Sequence, residues 1–263
     1  MLFGSIMTAF LLPKTIEVDV EEKLATTALI PPDNINSPLP DFSGIRDVRE
    51  KKAAFFNFLE PLVVYANQQI SQDRKFVSDT KDRAEKLTVQ EHKRLLKLAD
   101  SYRVPTDNGM DEAFFALLLK RVDTIPPALA LAQAANESAW GTSRFAREGN
   151  NLFGEWCFKR GCGIQPSQRD EDASHEVAKF KRVYDSIQSY MLNLNRHDYY
   201  THLRTLREDL RQSAEPISAS ALAEGLERYS TRGPEYIKEL QSMIRVNSLE
   251  EKYQNDTGQT FTN

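Results

Sequence analysis

The chain has 263 residues, long enough for one sizeable domain with an extension, or for two small ones. With 40% hydrophobic and 27% charged residues, it has the composition of a soluble globular protein. Its 34 basic residues are outnumbered by 38 acidic ones, and the net charge of −4 lacks the basic excess that nucleic-acid binders carry.

The opening MLFGSIMTAFLL is apolar but falls short of the ~20 residues needed to span a bilayer. It suits the h-region of an export signal in length, yet no basic n-region precedes it and no A-x-A site follows. It reads either as a frayed apolar terminus or as the remnant of such a signal. Residues 13–40, with IPPDNINSPLP, read as a tether too poor in apolar side chains to pack, so that 1–39 stand apart from the folded body. A helical extension is expected over 40–105. Its first block places Phe55, Phe58, Leu59, Leu62, Val63 and Ala66 on one stripe, and Pro61 should kink or restart that helix. The charged stretch after it reads as a solvated helical pair. VPTDNGM (Val104–Met110) is a turn, and Asp107 or Asn108 is placed to cap the next helix.

Pro126 and Pro127 then open a helix, since proline is tolerated in a first turn. From Cys157 to Tyr184 the pattern changes. Gly161 and Gly163 interrupt the chain, HEVAKFKRVY alternates like a strand, and GIQPSQRDED can pair with it as a hairpin. Helices resume at DSIQSYMLNLNRH, where Asp185 and Gln188 resemble a capping box. They run on through PEYIKELQSMIRV to about residue 250, leaving 251–263 as a tail. The fold class expected is mainly α (α+β), with one small β-element inserted after Glu137.

Glu137 is the residue on which the chemistry turns. Leu129, Ala130, Gln133 and Ala134 precede it at helical spacing and share its face. A carboxyl at the end of so apolar a face is partly desolvated, and it sits at the negative end of the helix dipole. Both effects favour the protonated form. Cleavage of a glycosidic bond needs such a group, because the leaving oxygen must be protonated. Trp140, Phe153 and Trp156 follow as flat apolar surfaces suited to sugar rings, and Asn150 and Asn151 as amides suited to hydroxyl or acetamido groups.

The run AQAANESAWGTSRFAREGNNLFGEW resembles the glucosaminidases of glycoside hydrolase family 73, its Bax-type members in particular. Those share a helix end A-x-E-S-x-W-G-T-S followed by N-N-L-F-G. FKRVYDSIQSY and ERYSTRGPEYIKEL extend the likeness over about residues 40–250. The resemblance implies a lysozyme-like helical domain over 106–250 with a β-hairpin lobe. It also implies hydrolysis of the β-1,4 bond between N-acetylglucosamine and N-acetylmuramic acid in peptidoglycan. It gives Glu137 the catalytic position and makes Tyr229 and Tyr236 cleft tyrosines. Some members carry a second carboxylate on the hairpin. Glu171, Asp172 and Glu176 are the candidates here, Glu176 slightly favoured, and the substrate's own acetamido group is the other route. A lytic transglycosylase and a catalytically silent wall-binding module are the rival functions.

C-x4-C without a second pair is a poor zinc site, and His197 and His202 are spaced wrongly for one helical face, so no metal and no cofactor is expected. An exported substrate permits an oxidised pair, and four intervening residues allow a Cys157–Cys162 disulfide at the hairpin's base. The partners expected are glycan strands and no nucleic acid, with peripheral membrane contact through the N-terminus. The place expected is the periplasm or cell envelope, and the state a monomer.

Overall fold

Ten α-helices and a three-stranded sheet make up residues 28–166 and 175–256, the part of the chain that this computed structural model describes. Helix α1 (Val48–Lys81) starts on Asp47, whose carboxylate accepts from the Arg49 and Glu50 amides. It runs on through Pro61 as one element of 34 residues and does not restart there. Helix α2 (Val89–Ser101) carries a capping box, Thr88 with Glu91. Helix α3 (Glu112–Arg121) is capped by Asp111, which accepts from the Phe114 amide, and not by Asp107 or Asn108.

Helix α4 (Pro127–Glu137) is the axis of the fold. Every residue from Ala128 to Ala135 is buried, so the helix is enclosed on all sides and not on one face alone. It packs with α1, α6 (Val183–Arg196), α8 (Ala219–Ala223) and α9 (Pro234–Val246) in the main core. A second apolar cluster joins Phe76 and Val77 of α1, Leu95 and Leu98 of α2, and Phe114, Phe115 and Leu118 of α3. Helices α5 (Arg144–Gly149) and α7 (Thr201–Gln212) complete the surround, and α10 (Leu249–Asp256) carries the helical part beyond residue 250. Asp185 holds the start of α6 as its third residue, reaching back to the Arg182 amide, and is not its N-cap.

The sheet comprises β1 (Trp156–Cys157), β2 (Gly163–Ile164) and β3 (Glu176–Ala178), in the order β1-β3-β2 and antiparallel throughout. Trp156 faces Val177 and Cys157 faces Glu176 in register, while Ile164 pairs with the other edge of Val177. The expected hairpin is therefore a three-stranded lobe to which β1 adds an edge. Tyr184 lies in α6, beyond the strand that was expected to contain it. The architecture is mainly α, a lysozyme-like helical domain with a small antiparallel lobe and an N-terminal helical region.

The described part of the supposed tether is docked. Asn34 donates to the Phe58 carbonyl at 2.7 Å, and Ile35 and Leu39 pack against the main core. The Arg182 guanidinium adds a second tie, donating to Asn36 Oδ1 at 3.3 Å. No helix among the described residues is long and apolar enough to cross a membrane.

One buried charge cluster locks α3 to α1 and α7. Asp123 is 3% exposed and meets Arg211 through two contacts, at 2.7 and 2.5 Å, with Arg74 at 3.4 Å and Arg207 at 3.5 Å. Burial alone would raise its pKa, but Arg207, Arg211 and Arg74 outweigh burial and hold it below the usual carboxylate range. Removing one partner of a buried ion pair leaves the other uncompensated, at a cost of about 3–5 kcal/mol. Asp123→Asn is expected to lower stability to that order in denaturant unfolding, and a variant as stable as the parent would show that the cluster contributes nothing.

Candidate active site

Helix α4 ends abruptly. The Ser138 hydroxyl donates to the Ala134 carbonyl at 2.6 Å and accepts from the Gly141 amide at 2.8 Å. Ala139, Trp140 and Gly141 all take positive φ, of 49°, 59° and 75°. Two of these three are not glycine, which stores strain directly after Glu137. At Gly141 no other residue fits, since an added Cβ would stand 2.6 Å from Phe42 Cδ2. The Trp140 ring secures this turn. It meets Phe55 and Phe56 of α1 edge-on at 5.6 and 5.2 Å, with the Lys52 ammonium 4.9 Å from its centroid.

Glu137 itself is half-buried in the last turn of α4. Burial raises its pKa, opposed by hydrogen bonds from Tyr236 and Asn136 and by the charge of Arg232, and the net direction is upward. A fixed chain stands behind it. Tyr190 donates to Gln133 Oε1 at 2.5 Å, and Gln133 Nε2 donates to the Tyr236 hydroxyl at 2.9 Å. Tyr236, thus accepting, gives its own proton to the Glu137 carboxyl. Gln133 and Tyr236 are fully buried, so the chain sets the rotamer of Glu137 with little play.

The segment Asn150–Glu155 forms the opposite wall. Asn150 ends α5 in the left-handed region and donates to the Phe180 carbonyl. The buried Asn151 amide donates to the Glu155 and Ala178 carbonyls, both at 2.9 Å. Its oxygen accepts from the Phe153 and Glu155 amides at 3.3 and 3.1 Å. These bonds use every donor and acceptor the side chain has. The amide expected to meet a sugar is therefore committed to clamping its own loop. Phe153 is buried and stacks on Tyr190 at 3.9 Å, within 7° of parallel. Gly154 (φ 66°) lies beside the acid, where an added methyl would stand 4.0 Å from Glu137 Oε2.

The tyrosines divide the remaining work. Tyr229 is half-buried, donates to the Phe153 carbonyl at 2.8 Å and lies parallel to Tyr236 with ring centroids 5.6 Å apart. Tyr200 tilts against Tyr229 at 6.0 Å. So Phe153, Tyr229 and Tyr236 are brought together around Glu137, and Trp140 is joined to the same turn from behind. Trp156 differs, being 52% exposed on β1 and tilted over His175 at 4.1 Å.

Glu176 belongs to the lobe. It is buried in the lobe, where its two oxygens accept from the Gly161 and Gly163 amides at 3.0 and 2.8 Å. Those amides belong to or border the loop closed by a Cys157–Cys162 disulfide, whose Cα atoms are 6.2 Å apart. Both sulfurs being bonded to each other, neither is a thiolate ligand. Glu176 thus straps the disulfide loop, and Glu171 and Asp172 lie outside the described residues. Sequence reasoning missed Glu155, a second carboxyl in this wall, which burial pushes up to about 7. The signal for it was its place in the NNLFGEW run, directly after Gly154.

A buried helix that ends on a half-buried, oriented glutamate, beside a loop that leads into a small sheet, places the chain in the lysozyme-like class of glycan hydrolases. A family model for Glucosaminidase, described as mannosyl-glycoprotein endo-beta-N-acetylglucosaminidase, matches residues 113–249. Protein bax of Escherichia coli (strain K12) is 32% identical over 212 residues, 81% of this chain and 75% of the relative. No solved structure matches the chain. The chain belongs to the glucosaminidase family, in its Bax-type branch.

The Tyr236 contact makes a signed prediction. Its hydroxyl favours the charged form of Glu137, so Tyr236→Phe raises the Glu137 pKa further. The alkaline limb of glycan hydrolysis should move to higher pH. Stability should fall by about 1–3 kcal/mol because the buried Gln133 amide loses its acceptor. A limb displaced to lower pH would contradict the assignment of this contact.

Proposed function

We propose that this protein is an exported peptidoglycan hydrolase that cleaves the β-1,4 bond following N-acetylglucosamine, with Glu137 as general acid. The observation that carries this reading is the Glu137 carboxyl, half-buried, raised in pKa and aimed by the Tyr190–Gln133–Tyr236 chain. Such a group holds its proton where a solvated glutamate has lost it, and so can give it to the leaving oxygen. The family match supports glycan hydrolysis, and the disulfide supports an oxidising compartment such as the periplasm.

Two further roles follow on this reading. The exposed face of Trp156 stacks on a sugar ring of the strand, while Phe153, Tyr229 and Tyr236 shape the wall beneath it. With Glu176 engaged by two backbone amides, the acetamido group of the substrate acts as the internal nucleophile. The partner is the glycan strand and the working unit a monomer.

Glu137→Gln keeps size and shape while removing the transferable proton. General acid help is worth ~10²–10⁴ in rate, so turnover on purified sacculi should fall by at least that range with the melting temperature nearly unchanged. Mass spectrometry of the wild-type digest should find reducing N-acetylglucosamine ends. Ends bearing 1,6-anhydro-muramic acid would instead identify a transglycosylase. A folded Glu137→Gln protein cleaving within a few-fold of wild type would remove Glu137 from the chemistry.

A further inference from the structure

Glu155 is a half-buried titratable group that the mechanism above does not use. One of its oxygens, Oε2, is buried with no hydrogen-bond partner, while the Ser189 hydroxyl of α6 bonds the carboxyl. Among the described residues, the charged and titratable groups acting on it or feeling its charge are Arg196 and Tyr190 from α6 and Tyr200 from the turn that follows. Arg196 is partly committed elsewhere, donating to the Ser101 carbonyl at 3.2 Å. A buried carboxylate with an unpaired oxygen is costly, and the neutral acid in the same place much less so.

The backbone ties this group to the site. Asn151 grips both the amide and the carbonyl of Glu155, at 3.1 and 2.9 Å. Gly154, one residue earlier, lies beside the acid, where an added Cβ would stand 4.0 Å from Glu137 Oε2. Tyr190 and Tyr200 each feel the charge of both Glu137 and Glu155, so the two carboxyls share these electrostatic neighbours. Displacement of Glu155 therefore cannot leave Gly154 and the Glu137 wall unmoved.

We propose that Glu155 is a positioning residue of the active site: neutral, it seats the Asn151–Glu155 loop against Glu137, and its ionisation unseats that loop and reduces activity. The proposal rests on Glu137 being the acid of a glycan hydrolase. It makes the protein's own loop a pH-dependent part of the catalytic wall. Burial holds the Glu155 carboxyl up at about 7, in the range where a change of surroundings alters its charge. The sign follows directly. A carboxyl raised in the folded state takes up a proton on folding, so stability is highest below its ordinary value of 4.5. It is lost as pH rises from there through about 7.

Glu155→Gln, an isostere of the neutral acid, tests this in two ways. Without substrate, the melting temperature of wild type should decline relative to the variant as pH rises from 4.5 through about 7, the window between the two pKa values. With sacculi as substrate, the variant should keep its activity to higher pH than wild type. On the alkaline side wild type should lose activity with two protons and the variant with one. Superimposed melting curves across that range would overturn the buried titration, whatever the substrate proves to be. A titrating Glu155 with superimposed activity profiles would overturn its link to the site. A folded variant inactive at every pH would overturn the positioning role in favour of direct chemistry. If wild type itself fails to act on sacculi while the melting data behave as expected, the functional reading fails and the buried titration survives.

Discussion

Burial of α4 on every side is the constraint on which the rest depends. Eight consecutive residues, Ala128 to Ala135, are sealed inside the core, and the helix has to leave that core at its C-terminal end. Glu137 stands at the exit, where solvent is partly excluded and the carbonyl end of the helix adds negative potential. The turn that follows is strained at Ala139 and Trp140 and is held by the Trp140 ring on Phe55 and Phe56. The long α1 therefore serves the site as well as the core: without it the exit turn would lose its anchor.

Two walls built from distant sequence meet at that exit. One is the chain Tyr190–Gln133–Tyr236, drawn from α6, α4 and α9, which orients the acid. The other is the Asn150–Glu155 loop, stitched to α6 through the Leu152 amide on Ser186 and to the lobe through Asn151 on Ala178. The lobe in turn is stiffened by its disulfide and by Glu176. Among the described residues, Glu155 Oε2 is the buried side-chain polar atom of these walls that has no hydrogen-bond partner, which makes that residue the soft point of the frame.

What the sequence made legible is local. Pro126–Pro127 and Gly141 mark where α4 starts and where its exit turn ends, and the apolar run between them announces a desolvated Glu137. The apolar stripe of α1 and the helices after Tyr184 are legible for the same reason, since their periodicity is carried by neighbours in the chain. What was not legible depends on partners far away. An asparagine that serves a sugar and one that clamps its own loop look alike in sequence, and only the fold shows Asn151 fully committed. Gln133 and Tyr236 lie 103 residues apart, so nothing local joins them. Strands of two residues are too short to alternate, which hid β1. Asn34, Ile35 and Leu39 dock a segment whose composition alone suggested a tether.

The central claim is that the fold itself holds Glu137 in its acid form to higher pH than a free glutamate. A carboxyl-carbon NMR titration of glutamate-labelled protein measures this directly, with the Glu137 signal assigned by its loss in Glu137→Gln and the Glu155 signal by its loss in Glu155→Gln. The account predicts that the Glu137 resonance titrates above the ordinary value of 4.5, because burial outweighs the Tyr236 and Asn136 hydrogen bonds. A Glu137 resonance titrating at or below 4.5 in the folded protein would contradict it.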